Sequence, residues 1–228
     1  MKCLKRIVYF ILLFLVVFIN VSAEEEKNNV LLRWAFIYRE QGGNTIKIIN
    51  PYEKLTSLSS GDMFEIYLEP VIDGYAYIFI YDSLYRLRMI FPEDKDFSDD
   101  YYVKKASNIL IPKNKTNSFF LDENEGIENI YLLFSQERLL NLETLIKKHF
   151  AACGANKMTG PFCREATKRL HDEIRKILLE NIGKNIVVEK MVPIAGGLRG
   201  HELLADLNSV EVTGESFYGK RIIIEHKE

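Results

Sequence analysis

The feature that most constrains this chain is a series of short apolar segments between Asn29 and Phe134, each closed by a turn signal. Met63 to Glu69 alternates, with Phe64, Ile66 and Leu68 on one face and Met63, Glu65 and Tyr67 on the other. A period of two means a strand with one face buried. Pro70 ends it and Asp73-Gly74 turns the chain. Tyr75 to Tyr81 is dense in aromatic and β-branched residues and reads as a central strand buried on both faces. The same logic places strands at Asn29–Arg39, Thr45–Ile49, Arg86–Phe91, Tyr101–Val103, Asn108–Ile111 and Ile127–Phe134, with Phe119-Phe120-Leu121 leading into an acidic turn from Asp122 to Gly126. Gln41-Gly42-Gly43-Asn44 and Ser59-Ser60-Gly61-Asp62 are the turns between the early segments. Close spacing of short strands predicts an antiparallel β-sandwich or a partly open barrel.

At Ser135 the period changes. Leu139, Leu140, Leu142, Leu145, Ile146 and Phe150 form one helical stripe, with Ser135 as the expected N-cap. Gly154 to Gly160 is a connector, and Pro161 suits a helix start. Ala166, Leu170, Ile174, Ile177 and Leu178 form a second stripe, with Gly183 as its expected stop. Ile186 to Val192 returns to strand character. Val210–Thr213, a turn at Gly214, and Arg221–His226 read as a closing pair of strands. The expected class is therefore β-rich (α+β). A sandwich over 24–134 is followed by a helical hairpin over 135–183 and by closing strands over 184–228 that return to the sheet.

The amino terminus carries a different signal. Lys2, Lys5 and Arg6 precede an apolar run from Ile7 to Ile19, and Val21-Ser22-Ala23 leads into three glutamates. This is the pattern of a secretory signal peptide, with the cut expected between Ala23 and Glu24. An uncut anchor is the alternative, but a span of the bilayer takes about 20 apolar residues, and no stable membrane span is expected after cleavage. Loss of Lys2, Lys5 and Arg6 lowers Lys+Arg from 30 to 27 against 32 acids, which gives a mature net charge of −5. An acidic chain without a basic stripe argues against nucleic acid as a partner. Cys3 also departs, leaving Cys153 at the end of the first helix and Cys163 at the start of the second. An even pair in an oxidising compartment reads as a disulfide pinning the hairpin at its turn.

No residue set has the spacing of a catalytic site. His149, Cys153, Cys163 and His171 could be read as zinc ligands. However, Cys163 and His171 stand about 12 Å apart along a straight helix at ~1.5 Å per residue. His201-Glu202 begins like a zinc-protease helix but has Ala205 where the second histidine belongs. Gly196 to Gly200 lacks the lysine and hydroxyl of a phosphate loop. The acids Asp94, Asp96, Asp99 and Asp100 form a solvated loop or a weak calcium site. Asp122, Glu123, Glu125 and Glu128 form a candidate acidic loop with the same two readings. Alternation puts Tyr75, Tyr77, Phe79 and Tyr81 on one face. That stripe is either core or, if exposed, a candidate binding surface. No cofactor or metal site is assigned.

Gly61-Asp62, Pro70, Asp73-Gly74-Tyr75, Tyr77-Ile78-Phe79 and Asp82-Ser83 occur in an order that resembles the bacterial domain-of-unknown-function family numbered 4384. Phe91-Pro92, Ile111-Pro112, Leu121-Asp122-Glu123, Gly126, Glu128 and Ile130-Tyr131 continue it, so that the resemblance covers about Asn29 to Leu140. It implies a β-rich, exported or envelope-associated accessory module, and it supplies no catalytic residues. Its Gly and Asp positions imply turn chemistry, with permissive backbone at Gly74 and Gly126 and Asx-type turns at Asp73 and Asp82. One departure is Leu84, where the family often has Gly after Asp-Ser.

The expectation is an exported, periplasmic or secreted, non-catalytic domain that binds a protein or cell-envelope partner. The alternatives are an envelope hydrolase using the Asp122–Glu128 acids and a structural subunit of an envelope complex. One mass measurement on unreduced protein from the periplasm reads both the cut and the disulfide. A chain beginning at Glu24 with no alkylatable thiol is expected. A chain beginning at Met1, or two free thiols, would sink the respective reading.

Overall fold

A computed structural model describes residues 29–43, 45–93, 101–113, 118–154, 160–182, 187–194 and 207–228. The expected signal peptide with its cut between Ala23 and Glu24, the acids from Asp94 to Asp100, Gly183 and the Gly196–Ala205 stretch lie outside these residues. Two sheets form, and neither closes into a barrel. The first runs in the order β11 (Val188–Pro193), β12 (Asn208–Gly214), β1 (Asn29–Arg39), β4 (Met63–Pro70) and β8 (Ile109–Ile111). β2 (Ile46–Ile48) pairs with β1, and β9 (Phe119–Phe120) with β4. The second runs β3 (Thr56–Ser59), β13 (Phe217–Lys227), β10 (Gly126–Ser135), β5 (Gly74–Tyr81) and β6 (Leu87–Phe91), with β7 (Tyr102–Val103) on β5. Helices α1 (Leu140–Cys153) and α2 (Pro161–Asn181) lie before the last three strands.

The alternation read from sequence explains the layers. Leu32, Trp34, Phe36, Ile66, Leu68 and Val212 of the first sheet meet Ala76, Ile78, Ile80, Ile130, Leu132 and Ile224 of the second in one interior. Trp34 donates from its indole N–H to the Tyr218 hydroxyl across that interior, at 2.9 Å. The outer face of the second sheet is apolar too. Tyr77, Phe79, Tyr131 and Leu133 pack there against Leu142 and Ile146 of α1 and Leu170, Ile174 and Ile177 of α2. Helices, sheet and sheet thus make three layers, and the second sheet is buried on both sides. A smaller cluster of Ala35, Ile37, Tyr67 and Ile194 covers part of the outside of the first sheet.

Several local expectations change. The closing strands do not pair with each other. β12 joins β1 and β11 in the first sheet, while β13 joins β10 and β3 in the second. Their best partners lie in different sheets, so the short link at Glu215-Ser216 carries the chain across the sandwich. β3, at an edge, pairs with β13 in parallel, because a connection that long imposes no antiparallel return. Ser135 ends β10 instead of capping a helix, and its Oγ accepts from the Glu137 amide. α1 begins at Leu140, where the hydroxyl of strand residue Tyr77 accepts from the Leu139 amide and donates to Glu143. Glu143 is buried in the first helical turn and takes a two-armed bond from Arg138. A carboxylate there also complements the helix dipole.

Gly74 has no left-handed backbone. It is required by contact instead, since a Cβ there would stand 2.6 Å from Phe134 Cζ. Gly219 of β13 is comparable, because a Cβ would stand 2.4 Å from Leu178 Cδ2 of α2. The missing side chain lets the second helix settle on the sheet. Gly219→Ala is expected to cost about 1–3 kcal/mol through overpacking. Urea unfolding followed by Trp34 fluorescence checks this, and an unchanged midpoint would mean that the helix shifts freely.

Candidate functional site

The turn between β5 and β6 organises one end of the second sheet. Asp82 Oδ1 accepts from the amides of Leu84 and Arg86, which forms the expected Asx-type turn, and Oδ2 accepts from Arg86 Nε at 2.7 Å. Asp73 differs from expectation. Its carboxylate accepts from the Lys105 amide and so ties down another loop. At the tip of the Asp82 turn, Tyr85 sits at φ 61° with its side chain 76% exposed. A left-handed conformation costs a non-glycine residue about 1–2 kcal/mol.

Tyr85 and Leu84 form one wall of a groove of about 520 Å³ between this turn and the helical hairpin. Tyr81, His171, His149, Thr167 and the Cys153–Cys163 pair line the rest, with Arg86, Arg164 and Lys168 as its cations. The two sulfurs lie at disulfide distance, 2.01 Å, with the Cα atoms 4.7 Å apart. His171 stacks on Tyr81 at 3.9 Å between centroids, and its Nε2 is 2.8 Å from the Tyr131 hydroxyl. His149 Nε2 is 3.1 Å from Thr167 Oγ1. Burial pushes both imidazoles below their ordinary pKa, with Arg175 and Arg221 adding to the effect at His171. The zinc set considered from sequence is therefore divided. The sulfurs are paired with each other, and each histidine bonds a hydroxyl.

The aromatic stripe divides as well. Tyr77 and Phe79 are fully buried beneath the hairpin and offer no surface, because the helices cover the middle of β5. Tyr75 and Tyr81 remain half-buried at its margins, and Tyr81 reaches the groove. Of the acidic loop, Glu123 and Glu125 are exposed. Asp122 and Glu128 instead converge with His226 of β13, their ligand atoms all within 4.8 Å of one another. The β10–β13 register sets His226 opposite Gly126 and Ile224 opposite Glu128. The sequence reading missed His226, since a lone histidine near a chain end carries no signal until β13 is paired. Gly126 keeps its expected role, with φ +137° and Ser83 packed where a Cβ would point.

Ser60 Oγ lies 3.0 Å from His226 Nε2, and His226 Nδ1 lies 3.7 Å from Glu128 Oε1. Hydroxyl, imidazole and carboxylate thus stand in the order of an activated nucleophile. However, 3.7 Å exceeds a hydrogen bond. The amides of Ser60, Gly61 and Asp62 are also taken, donating to the carbonyls of Lys227, Leu121 and Ser59. That turn therefore presents no spare amide to a developing oxyanion. Asp62 fixes the turn, its carboxylate accepting from the Gln41 and Ser59 amides. Burial raises the Glu128 pKa, opposed by His226. The Asn124 amide and Arg86 lower that of Asp122.

Residues 57–138 match the family model described as domain of unknown function (DUF4384). The resemblance read from the sequence is borne out, over a shorter stretch that begins at β3. The DUF4384 segment holds the β5–β6 turn, Ser60, Asp122 and Glu128, while the hairpin wall of the groove and His226 lie beyond it. No curated protein and no solved structure matches the chain.

The two histidines make the hairpin sensitive to acid. A depressed folded-state pKa stabilises the fold above the ordinary histidine value of about 6.5, and this stability is lost as pH falls through the folded value. The urea midpoint is expected to fall between pH 8 and pH 5, with a smaller fall in His171→Gln. Equal slopes in the two proteins would contradict it.

Proposed function

We propose that this protein is an exported, non-catalytic module that binds a protein or envelope partner through the groove between the β5–β6 turn and the helical hairpin. The observation that carries the reading is Tyr85. An aromatic residue holds a strained, left-handed position at an exposed tip, where glycine would be relaxed. Such strain persists where the side chain itself is needed. The groove offers an apolar floor and three cations, which suits a protein segment presenting an apolar side chain beside an acid.

The DUF4384 match supports an accessory role by resemblance, and the signal sequence supports delivery to the periplasm. A disulfide at the hairpin turn fits that compartment and ties together the ends of the two helices that make one wall of the groove. No helix among the described residues is long and apolar enough to cross a membrane.

A photo-crosslinking residue at position 85, in protein secreted to the periplasm, is expected to give a discrete adduct. The same probe at the exposed Glu53, far along the chain from the groove residues, is expected to give none. Tyr85→Gly is expected to keep or raise the melting temperature while lowering partner capture at least tenfold. Adducts of equal yield at both positions, or undiminished capture by the glycine variant, would end the proposal.

A further inference from the structure

We propose that Asp122, Glu128 and His226 form a binding site for a divalent transition-metal ion, of the zinc or manganese class, at the end of the sandwich. Their ligand atoms all lie within 4.8 Å of one another. Two acids near each other would carry little weight alone. The decisive group is His226, whose side chain has no solvent exposure and whose Nδ1 has no hydrogen-bond partner. A buried ring nitrogen left unpaired is costly, because it has given up its bond to water and gained none in return. The nearest acidic group to it is Glu128 Oε1 at 3.7 Å, itself nearly buried. That distance is too long for a hydrogen bond. It suits two donors to one ion, since bonds of about 2.0–2.2 Å put ligand atoms roughly 3–4 Å apart.

The surroundings agree. His226 Nε2 is held by Ser60 Oγ at 3.0 Å. A metal-ligating imidazole commonly gives its other nitrogen to such a partner, which fixes the tautomer and the ring orientation. With Nε2–H donating to Ser60, Nδ1 carries the free lone pair. Asp122 keeps one oxygen on the Asn124 amide at 2.9 Å, while the other meets Arg86 Nη2 at a long 3.5 Å. That second oxygen can turn to an ion at little cost.

A cavity of about 570 Å³ has Asp122 and Glu128 in its wall and offers a route from solvent. One nitrogen with two carboxylates favours zinc or manganese over calcium or magnesium, which take oxygen throughout. Arg86 and Arg88 stand close enough to act on these acids. They oppose a cation, so affinity below that of an all-cysteine structural zinc site is expected.

The test uses the untagged full-length chain, stripped with chelator and titrated calorimetrically with zinc, manganese and calcium chlorides. One equivalent of zinc or manganese is expected to bind and to raise the melting temperature, with calcium at least tenfold weaker. Glu128→Gln, which keeps the shape, and Ser60→Ala are each expected to weaken binding about 10–100-fold. His171→Gln, in the groove, is expected to leave it unchanged. No stoichiometric binding, or binding undiminished in Glu128→Gln, would overturn the site. A loss in His171→Gln alone would place the ion elsewhere and overturn it equally.

Discussion

The structure depends on the ladder between β10 and β13. It runs unbroken from Gly126 opposite His226 to Ser135 opposite Phe217. β10 is also paired along its other edge with β5, so this one strand joins the family segment to the end of the chain. The ladder fixes three things together. It completes the inner face, where Ile130 and Leu132 meet the first sheet. It completes the outer face, where Tyr131 and Leu133 meet the helices. It also delivers His226 to Glu128. A slip of one residue would turn every one of these side chains to the opposite face, so packing on both faces guards the register against small errors.

Burial on both faces explains why the helices are part of the fold. Tyr77 and Phe79 are too apolar to face water, and the hairpin covers them. Tyr77 then does more than pack. Its hydroxyl bridges the Leu139 amide and the Glu143 carboxylate and so anchors the start of α1. A strand residue therefore supplies the cap that the helix lacks in its own sequence. The Cys153–Cys163 pair restrains the far end of the hairpin. Held at both ends, the hairpin makes one wall of the groove, and Tyr85 makes the other.

The DUF4384 match begins at β3 and ends just past β10. That segment holds neither β1 nor β13, yet each has a partner strand on both of its edges. The matched segment of this chain is therefore completed by strands from either side of it. The groove and the Asp122–Glu128–His226 cluster both straddle that boundary. Tyr85, Asp122 and Glu128 lie in the matched segment, while the hairpin and His226 lie in the later part of the chain.

The sequence alone determined most elements, because alternation, helical stripes and turn residues act over a few positions. β1, β4, β5 and both helices could be read that way, as could the pairing of the two cysteines, which follows from their number and place. Tertiary structure decided what depends on distant partners. Alternation shows that Tyr75, Tyr77, Phe79 and Tyr81 share a face. Only packing shows that the middle pair is covered and that Tyr81 reaches a groove. Likewise Glu128 reads as one acid among four until the β10–β13 register brings His226 to it. Local patterns fix which faces of a strand are apolar, while long-range pairing selects which residues meet, and a site made of residues 60, 122, 128 and 226 exists only at that second level.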